Sequence, residues 1–93
     1  MDMIEDWKTL KQKAEWAKVH DRFEEARKFY GLAIENALDA HPLDVARLYN
    51  MLANMCIKTN DLELGERAAR KSLQLYLKFS DNGLETTWLA DAY

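Results

Sequence analysis

The sequence predicts an all-α protein, and three observations lead to that prediction. Only three of the 93 residues are Gly and one is Pro, while 48% are apolar, a composition typical of a globular, helix-rich chain. Apolar side chains recur every three or four residues along most of the chain, which places them on one face of an α-helix. A helical hairpin over residues 43–79 is also preceded by a similar hairpin. We therefore expect a stack of antiparallel hairpins.

Short polar breaks divide the chain into five predicted helices. The first covers Met1–Val19. The second begins at Asp21, because Asp21 and Glu24 have the spacing of a reciprocal capping box, and it ends near residues 39–41. The third begins at about Pro42, since proline suits the first turn of a helix but not its interior.

The same helix-start spacing, Asn60 followed by Glu63, predicts the start of the fourth helix, and a turn at residues 80–83 leads into a fifth, Leu84–Tyr93. The apolar spacing also predicts which side chains face inward. From the second helix these are Phe23, Ala26, Phe29, Tyr30, Ala33, Ile34, Ala37 and Leu38. From the fourth they are Leu62, Ala69, Leu73, Tyr76 and Leu77.

The two hairpins are an internal repeat. At an offset of 39 residues Asp21 falls on Asn60, and Ala14 falls on Ala53. A period in this range is typical of an α-solenoid, in which each hairpin is too small to bury its own apolar face. We expect one domain, residues 1–93, with units at about 4–40, 42–80 and 82–93, the last being a capping helix.

The repeats resemble the tetratricopeptide repeat family. Leu52-Ala53 followed by Asn60-Asp61-Leu62-Glu63 is similar to that family's large–small pair and its turn, and so is the Leu89–Tyr93 segment to its first-helix signature. The phrase from His41 to Ala46, with the long repeat period, is similar to the kinesin-light-chain-like subgroup. Gly65 and Ser72 depart from the family, which prefers Ala at both positions. The resemblance implies a right-handed solenoid whose first helices line a concave groove.

No group of residues in the sequence indicates catalysis or a cofactor. A nucleophile with a base, a paired acid and base, or a metal cluster would be needed, and none is found. Cys56 lies on the apolar face of the third helix and is expected to pack in the core. His20 and His41 are expected at the C-terminal ends of helices, where they complement the helix dipole. We therefore expect a protein that is not an enzyme.

Composition also limits the expected partners and location. Thirteen basic and sixteen acidic residues give a net charge of −3, and the basic residues are scattered, which disfavours nucleic acid as a partner. Neither a run of about 18 apolar residues nor a leader pattern is visible, so no membrane association is expected. With a single cysteine, these features favour the cytoplasm.

The groove that the resemblance implies gives the candidate binding residues: Lys11, Glu15, Lys18, Arg47, Asn50, Asn54, Lys58 and Trp88. Asn50 and Asn54 are one helical turn apart, so both amides can bond the backbone of an extended peptide. The basic residues favour an acidic peptide or one with a free terminal carboxylate. The expected function is a non-enzymatic protein-interaction module, an adaptor or regulator. The alternative is a structural block that self-associates through helix 84–93.

The three tryptophans have different expected roles. Trp7 falls on the apolar stripe of the first helix and is expected in the core. Trp16 and Trp88 fall near the edges of their stripes. A large aromatic side chain at such an edge either anchors a partner or completes the packing, and the sequence leaves both readings open.

Overall fold

A computed structural model describes residues 6–79, and every regular element in that range is an α-helix. The helices are α1, Trp7–Val19; α2, Phe23–Glu35; α3, Pro42–Lys58; and α4, Leu62–Phe79. Each helix packs against the next one along the chain. The all-α prediction is confirmed for these residues. The predicted fifth helix and residues 1–5 of the predicted first helix lie outside the described residues.

The N-terminal ends of α1 and α3 are capped by the side chains that precede them. The Asp6 carboxylate accepts a hydrogen bond from the Thr9 backbone N–H at 2.9 Å, and this bond lowers the pKa of Asp6. Helix α3 begins at Pro42, as predicted. His41 caps that start, because its Nδ1 accepts from the Leu43 N–H at 3.1 Å. The expectation that His41 ends the second helix is therefore wrong.

Helix α2 ends at Glu35, several residues earlier than predicted. The Asn36 side chain donates to the Leu32 carbonyl at 2.8 Å and so satisfies one of the last carbonyls of the helix. Ala37 still reaches the core, but Leu38 is 90% exposed, contrary to its predicted inward position. Once the helix has ended, the three-and-four spacing no longer sets the direction of a side chain.

The two turns within the hairpins share one geometry. Asp21 and Asn60 both have left-handed backbones, with φ of 60° and 64°. The next N–H in each turn, that of Arg22 or Asp61, bonds a carbonyl five residues back at 2.8 Å. This is the Schellman arrangement that ends a helix. The predicted capping boxes at Asp21 and Asn60 are therefore wrong, because both residues close the preceding helix instead.

The start of α4 is capped one residue later than predicted. Asp61 Oδ1 accepts from the Leu64 N–H at 3.3 Å, while α2 begins after Arg22 with no side-chain cap. The two left-handed residues, Asp21 and Asn60, are nevertheless equivalent at the 39-residue offset. The backbone therefore repeats in the turns as the sequence does.

Small residues dominate the core where the helices approach closely. The main cluster joins α1, α2 and α3, with Ala14, Ala26 and Tyr30 at 0% exposure and Leu48 at 1%. Trp7 is partly buried against this cluster, in agreement with its predicted core position. A second cluster surrounds buried Tyr76 on α4. Because Ala side chains are short, paired helices can lie close together and still exclude water.

The buried face of α4 matches the predicted one only in part, because Tyr76 is buried as predicted but two of the predicted leucines are not. Leu62 and Leu77 are 62% and 56% exposed, whereas Gly65, Ala68, Ser72 and Tyr76 are buried. The Ser72 hydroxyl is satisfied by donating to the Ala46 carbonyl at 2.7 Å. A Cβ at position 65 would lie 3.3 Å from Cys56 Cβ, which shows how closely α3 and α4 approach. Apart from Tyr76, small side chains rather than the predicted leucines form the packed face.

Arg27 joins the two hairpins. From α2, its Nη2 donates to Asp61 Oδ2 at 2.9 Å and its Nη1 donates to Thr59 Oγ1 at 3.0 Å. The Thr59 hydroxyl donates in turn to the Met55 carbonyl at 3.0 Å. A guanidinium presents parallel donors in a fixed geometry, so these bonds hold α2 at a set position against the turn between α3 and α4.

Candidate functional site

Three of the predicted groove residues meet at one pocket of about 300 Å³. Lys18 comes from the last turn of α1, while Asn54 and Lys58 come from the second half of α3. The apolar part of the lining is Met51, Met55 and Ile57. The pocket thus combines two ammonium groups, one amide and a flexible apolar wall.

A second pocket, of about 260 Å³, adjoins the first because Asn54 and Ile57 line both. Asn50 lies on its wall beside Asn54, as the one-turn spacing predicts. From α4 the lining includes Leu62, Gly65, Glu66 and Ala69. We refer to the two pockets together as the α3 groove.

The positive charge in the α3 groove lies at the end formed by Lys18 and Lys58. Within residues 6–79 neither ammonium group forms an ion pair, and Lys58 Nζ lies 5.4 Å from the centroid of the Phe23 ring. Glu66, at the other end, is paired with Arg70 at 2.8 Å. An anionic ligand would therefore meet its most favourable potential beside the two lysines.

The remaining predicted site residues do not line the α3 groove. Lys11 pairs with Glu15 at 3.9 Å along α1, and Arg47 pairs with Asp44 at 3.2 Å in the first turn of α3. None of Lys11, Glu15 and Arg47 contributes to either pocket. Trp88 lies outside the described residues. The structure thus brings together four of the eight predicted residues.

A larger pocket, of about 600 Å³, lies between the hairpins and is not predicted by the sequence pattern. Its apolar lining comes from Leu32 of α2, Leu52 of α3 and Leu64 of α4. Its charged lining is Glu24, Glu25, Arg27, Lys28 and Glu35. A Cβ added at Gly31 would meet nothing within 4 Å, so this glycine widens the pocket. In the sequence, the isolated Gly31 inside a helical pattern is the one feature that could have indicated this pocket.

The thiol of Cys56 and the imidazole of His20 have structural roles in the protein. Cys56 is fully buried, as predicted, and burial raises the pKa of its thiol. His20 Nδ1 lies 2.8 Å from the Trp16 carbonyl at the end of α1, where the sequence places it. Among residues 6–79 no group of three or more His, Cys, Asp or Glu side chains is placed to hold a metal ion.

Comparison with known proteins gives no match: no family model, no curated protein and no solved structure matches this chain. Of the helices between residues 6 and 79, none combines the length and hydropathy that a membrane-spanning helix needs. The function is therefore inferred from the geometry of the α3 groove alone.

Proposed function

We propose that this protein is a non-enzymatic protein-interaction module of the tetratricopeptide repeat type, acting as an adaptor or regulator that binds an acidic peptide in the α3 groove. The observation that carries the proposal is the meeting of Lys18, Asn54 and Lys58 at one pocket with an apolar wall. The right-handed solenoid is part of the proposal. It is supported by the two turns of equal geometry 39 residues apart.

The ligand that suits this groove is an extended segment with a carboxylate at one end. Lys18 and Lys58 would donate charge-assisted hydrogen bonds to the carboxylate. The amides of Asn50 and Asn54 offer both donors and acceptors to a peptide backbone. Met51 gives an apolar side chain of the ligand an adaptable contact. Because the helices are already formed, the ordering cost falls mainly on the peptide.

The proposal assigns no catalytic residue and no cofactor, and it places the protein in the cytoplasm. A binding module needs only a preformed surface, whereas an enzyme needs groups with shifted pKa values at a coherent site. The polar side chains of the α3 groove, those of Lys18, Asn50, Asn54, Lys58 and Glu66, supply hydrogen-bonding and charged contacts of the kind that a binding surface needs.

A fluorescence anisotropy screen of labelled acidic peptides, each with a free or an amidated C-terminus, tests the proposal. K18E and K58E should weaken binding by about tenfold each, since a lost charge-assisted bond is worth roughly 1.5 kcal/mol. Asn54→Ala should weaken it less, through a neutral bond. K71E is the matched control, because Lys71 is exposed on α4 and lines neither pocket. Equal binding by K18E, K58E and K71E would contradict the proposal.

The second candidate function is a structural block that self-associates at its C-terminal end, through residues 84–93. The apolar side chains exposed near that end favour it, because Leu77 is 56% and Phe79 is 41% exposed on the last turns of α4. Exposed apolar side chains mark an interaction surface where they form a contiguous patch. Removal of residues 84–93 should then abolish an oligomer measured by light scattering, whereas an oligomer that survives the truncation would exclude this route.

A further inference from the structure

Trp16 is an exposed aromatic residue held in a fixed orientation. It is 53% exposed, its ring stacks on that of His20 with centroids 4.1 Å apart, and the Arg22 guanidinium lies 5.4 Å from its centroid. A tryptophan that is already ordered loses little side-chain entropy when a partner covers it. Aromatic residues of this kind are over-represented among the residues that dominate binding energy.

Trp16 lies on the wall of a pocket of about 280 Å³ between α1 and α2, together with Lys13, Ala17, Glu25 and Phe29. We call this surface the Trp16 face. Its charges lie at opposite ends. Lys13 Nζ is 5.9 Å from the Phe29 ring, away from the turn, whereas Glu25 is 3.5 Å from Arg22 beside the turn.

The internal repeat shows what kind of surface this is. At the 39-residue offset Trp16 corresponds to Met55 and Ala17 to Cys56, which are 3% and 0% exposed. Met55 belongs to the main core cluster, so the second hairpin uses this face to pack on the first. On the first hairpin the equivalent face is open among the described residues. The Trp16 face is thus the position at which another helical hairpin would dock.

The charges disfavour a second copy that docks head to tail. Lys13 corresponds to Leu52, which shares a pocket with Leu32, and the equivalent of Leu32 on the second hairpin is Lys71. A continued stack would therefore bring Lys13 near Lys71 of the next copy. Leu64 and Arg27 line the same pocket, and at the 39-residue offset they correspond to Glu25 and Glu66. A continued stack would therefore also bring Glu25 of one copy near Glu66 of the other. Both pairs are like charges, which oppose such a stack.

A two-fold arrangement removes both conflicts. We propose that the Trp16 face is the interface of a symmetric dimer, in which Lys13 of each copy lies opposite Glu25 of the other and Trp16 packs on Phe29 of the other. In a two-fold dimer, each contact between two different residues occurs twice, once in each direction. A face with a cation at one end, an anion at the other and aromatic rings between them is therefore complementary to a second copy of itself. The Arg22–Glu25 pair is more than half exposed on both sides, so it stabilises Glu25 little and can yield to Lys13.

This proposal does not depend on peptide binding, because the Trp16 face and the α3 groove share no lining residue. Sedimentation equilibrium of the full chain, from low micromolar to millimolar concentration, tests it. The native chain should dimerise, and Trp16→Ala should raise the dissociation constant by about tenfold or more. K71E should dimerise normally, because that lysine lies outside a two-fold interface.

The decisive test is a mixture of two charge variants. K13E and E25K should each be mainly monomeric alone, because each sets like charges opposite one another twice. Mixed in equal amounts they should form a heterodimer, since both pairs are then opposite in sign again. Circular dichroism of each variant confirms that it is folded. If Trp16→Ala fails to fold, the mixture still decides.

Three results would overturn the proposal. A native chain that stays monomeric at millimolar concentration excludes the dimer. A dimer that survives in K13E and in E25K places the interface elsewhere, for example at residues 84–93. Two monomeric variants that stay monomeric when mixed exclude the two-fold pairing of Lys13 with Glu25.

Discussion

Replacing Arg27 with methionine should lower the free energy of unfolding, because Arg27 bridges the two hairpins. Arg27→Met keeps much of the apolar stem but removes two hydrogen bonds between the hairpins, at 2.9 Å to Asp61 and 3.0 Å to Thr59. Both bonds are donated by the charged guanidinium, and a hydrogen bond that involves a charged group contributes roughly 1.5–3 kcal/mol. The Arg27 side chain is 27% exposed, and solvent screening reduces the sum. We expect a loss of about 2 kcal/mol.

The matched control is Arg70→Met. Arg70 pairs with Glu66 at 2.8 Å, a distance as short as that of the bridge, but the two side chains are 67% and 61% exposed and lie on the same helix. Exposed pairs of this kind contribute less than about 0.5 kcal/mol. The contrast between the variants therefore isolates burial and the link between hairpins.

Urea unfolding followed by far-ultraviolet circular dichroism measures both variants. In thermal unfolding, a loss of 2 kcal/mol lowers the Tm of a domain of this size by roughly 10 °C. A double-mutant cycle of Arg27→Met with Asp61→Asn should give a coupling of about 1 kcal/mol, because the residues are in contact. If Arg27→Met costs no more than Arg70→Met, the bridge does not hold the hairpins together.

Three further predictions concern the helix interiors. Gly31→Ala should raise the free energy of unfolding, measured by urea titration, by about 0.5–1 kcal/mol, because the added Cβ meets nothing within 4 Å. Gly65→Ala should give no gain, because Cys56 Cβ would lie only 3.3 Å from the new Cβ. Equal gains would contradict the close approach of α3 and α4. Tyr30→Phe should not destabilise, because the buried hydroxyl has no hydrogen-bond partner within residues 6–79. Burial raises the pKa of Tyr30 from 10.0 to about 12. Between these two values the native state keeps the phenol proton while the unfolded state loses it, so the stability of the native chain should fall as pH rises. The fall should be smaller in Tyr30→Phe. Iodoacetamide should label Cys56 only as fast as the protein opens, since the thiol is buried and its pKa is raised, and labelling that is independent of added urea would show a reactive thiol instead.

Positions where one residue type serves two opposite roles were predicted incorrectly. Asp and Asn are favoured both as helix N-caps and in the left-handed conformation that ends a helix. The spacing of Asp21 and Asn60 to a following Glu suggests the first role, but the structure uses the second. Only the path of the chain into the next helix distinguishes the two. Pro42 has a fixed φ and no N–H, so its place at the start of α3 was predictable.

The packed face of α4 also required the tertiary structure. Apolar spacing selects Leu62 and Leu77, yet both are largely exposed, and Gly65 and Ser72 are buried instead. Hydrophobicity measures the gain from leaving water, but it does not say which face can approach α3 closely enough. That approach depends on side-chain volume on both helices, so a single helix read alone cannot determine it.

The sequence by itself determined the all-α class, the start of α3, the repeat of 39 residues and the adjacency of Asn50 and Asn54, because each depends on local geometry or on helical period. The resemblance predicted Lys18, Asn54 and Lys58 in one groove, but only the tertiary structure shows that these three meet at one pocket without Lys11, Glu15 and Arg47, and that the Trp16 face is open among residues 6–79. Lys18 belongs to the first hairpin, and Asn54 and Lys58 belong to the second. Their distance in space depends on how one hairpin packs on the other, which no local pattern records.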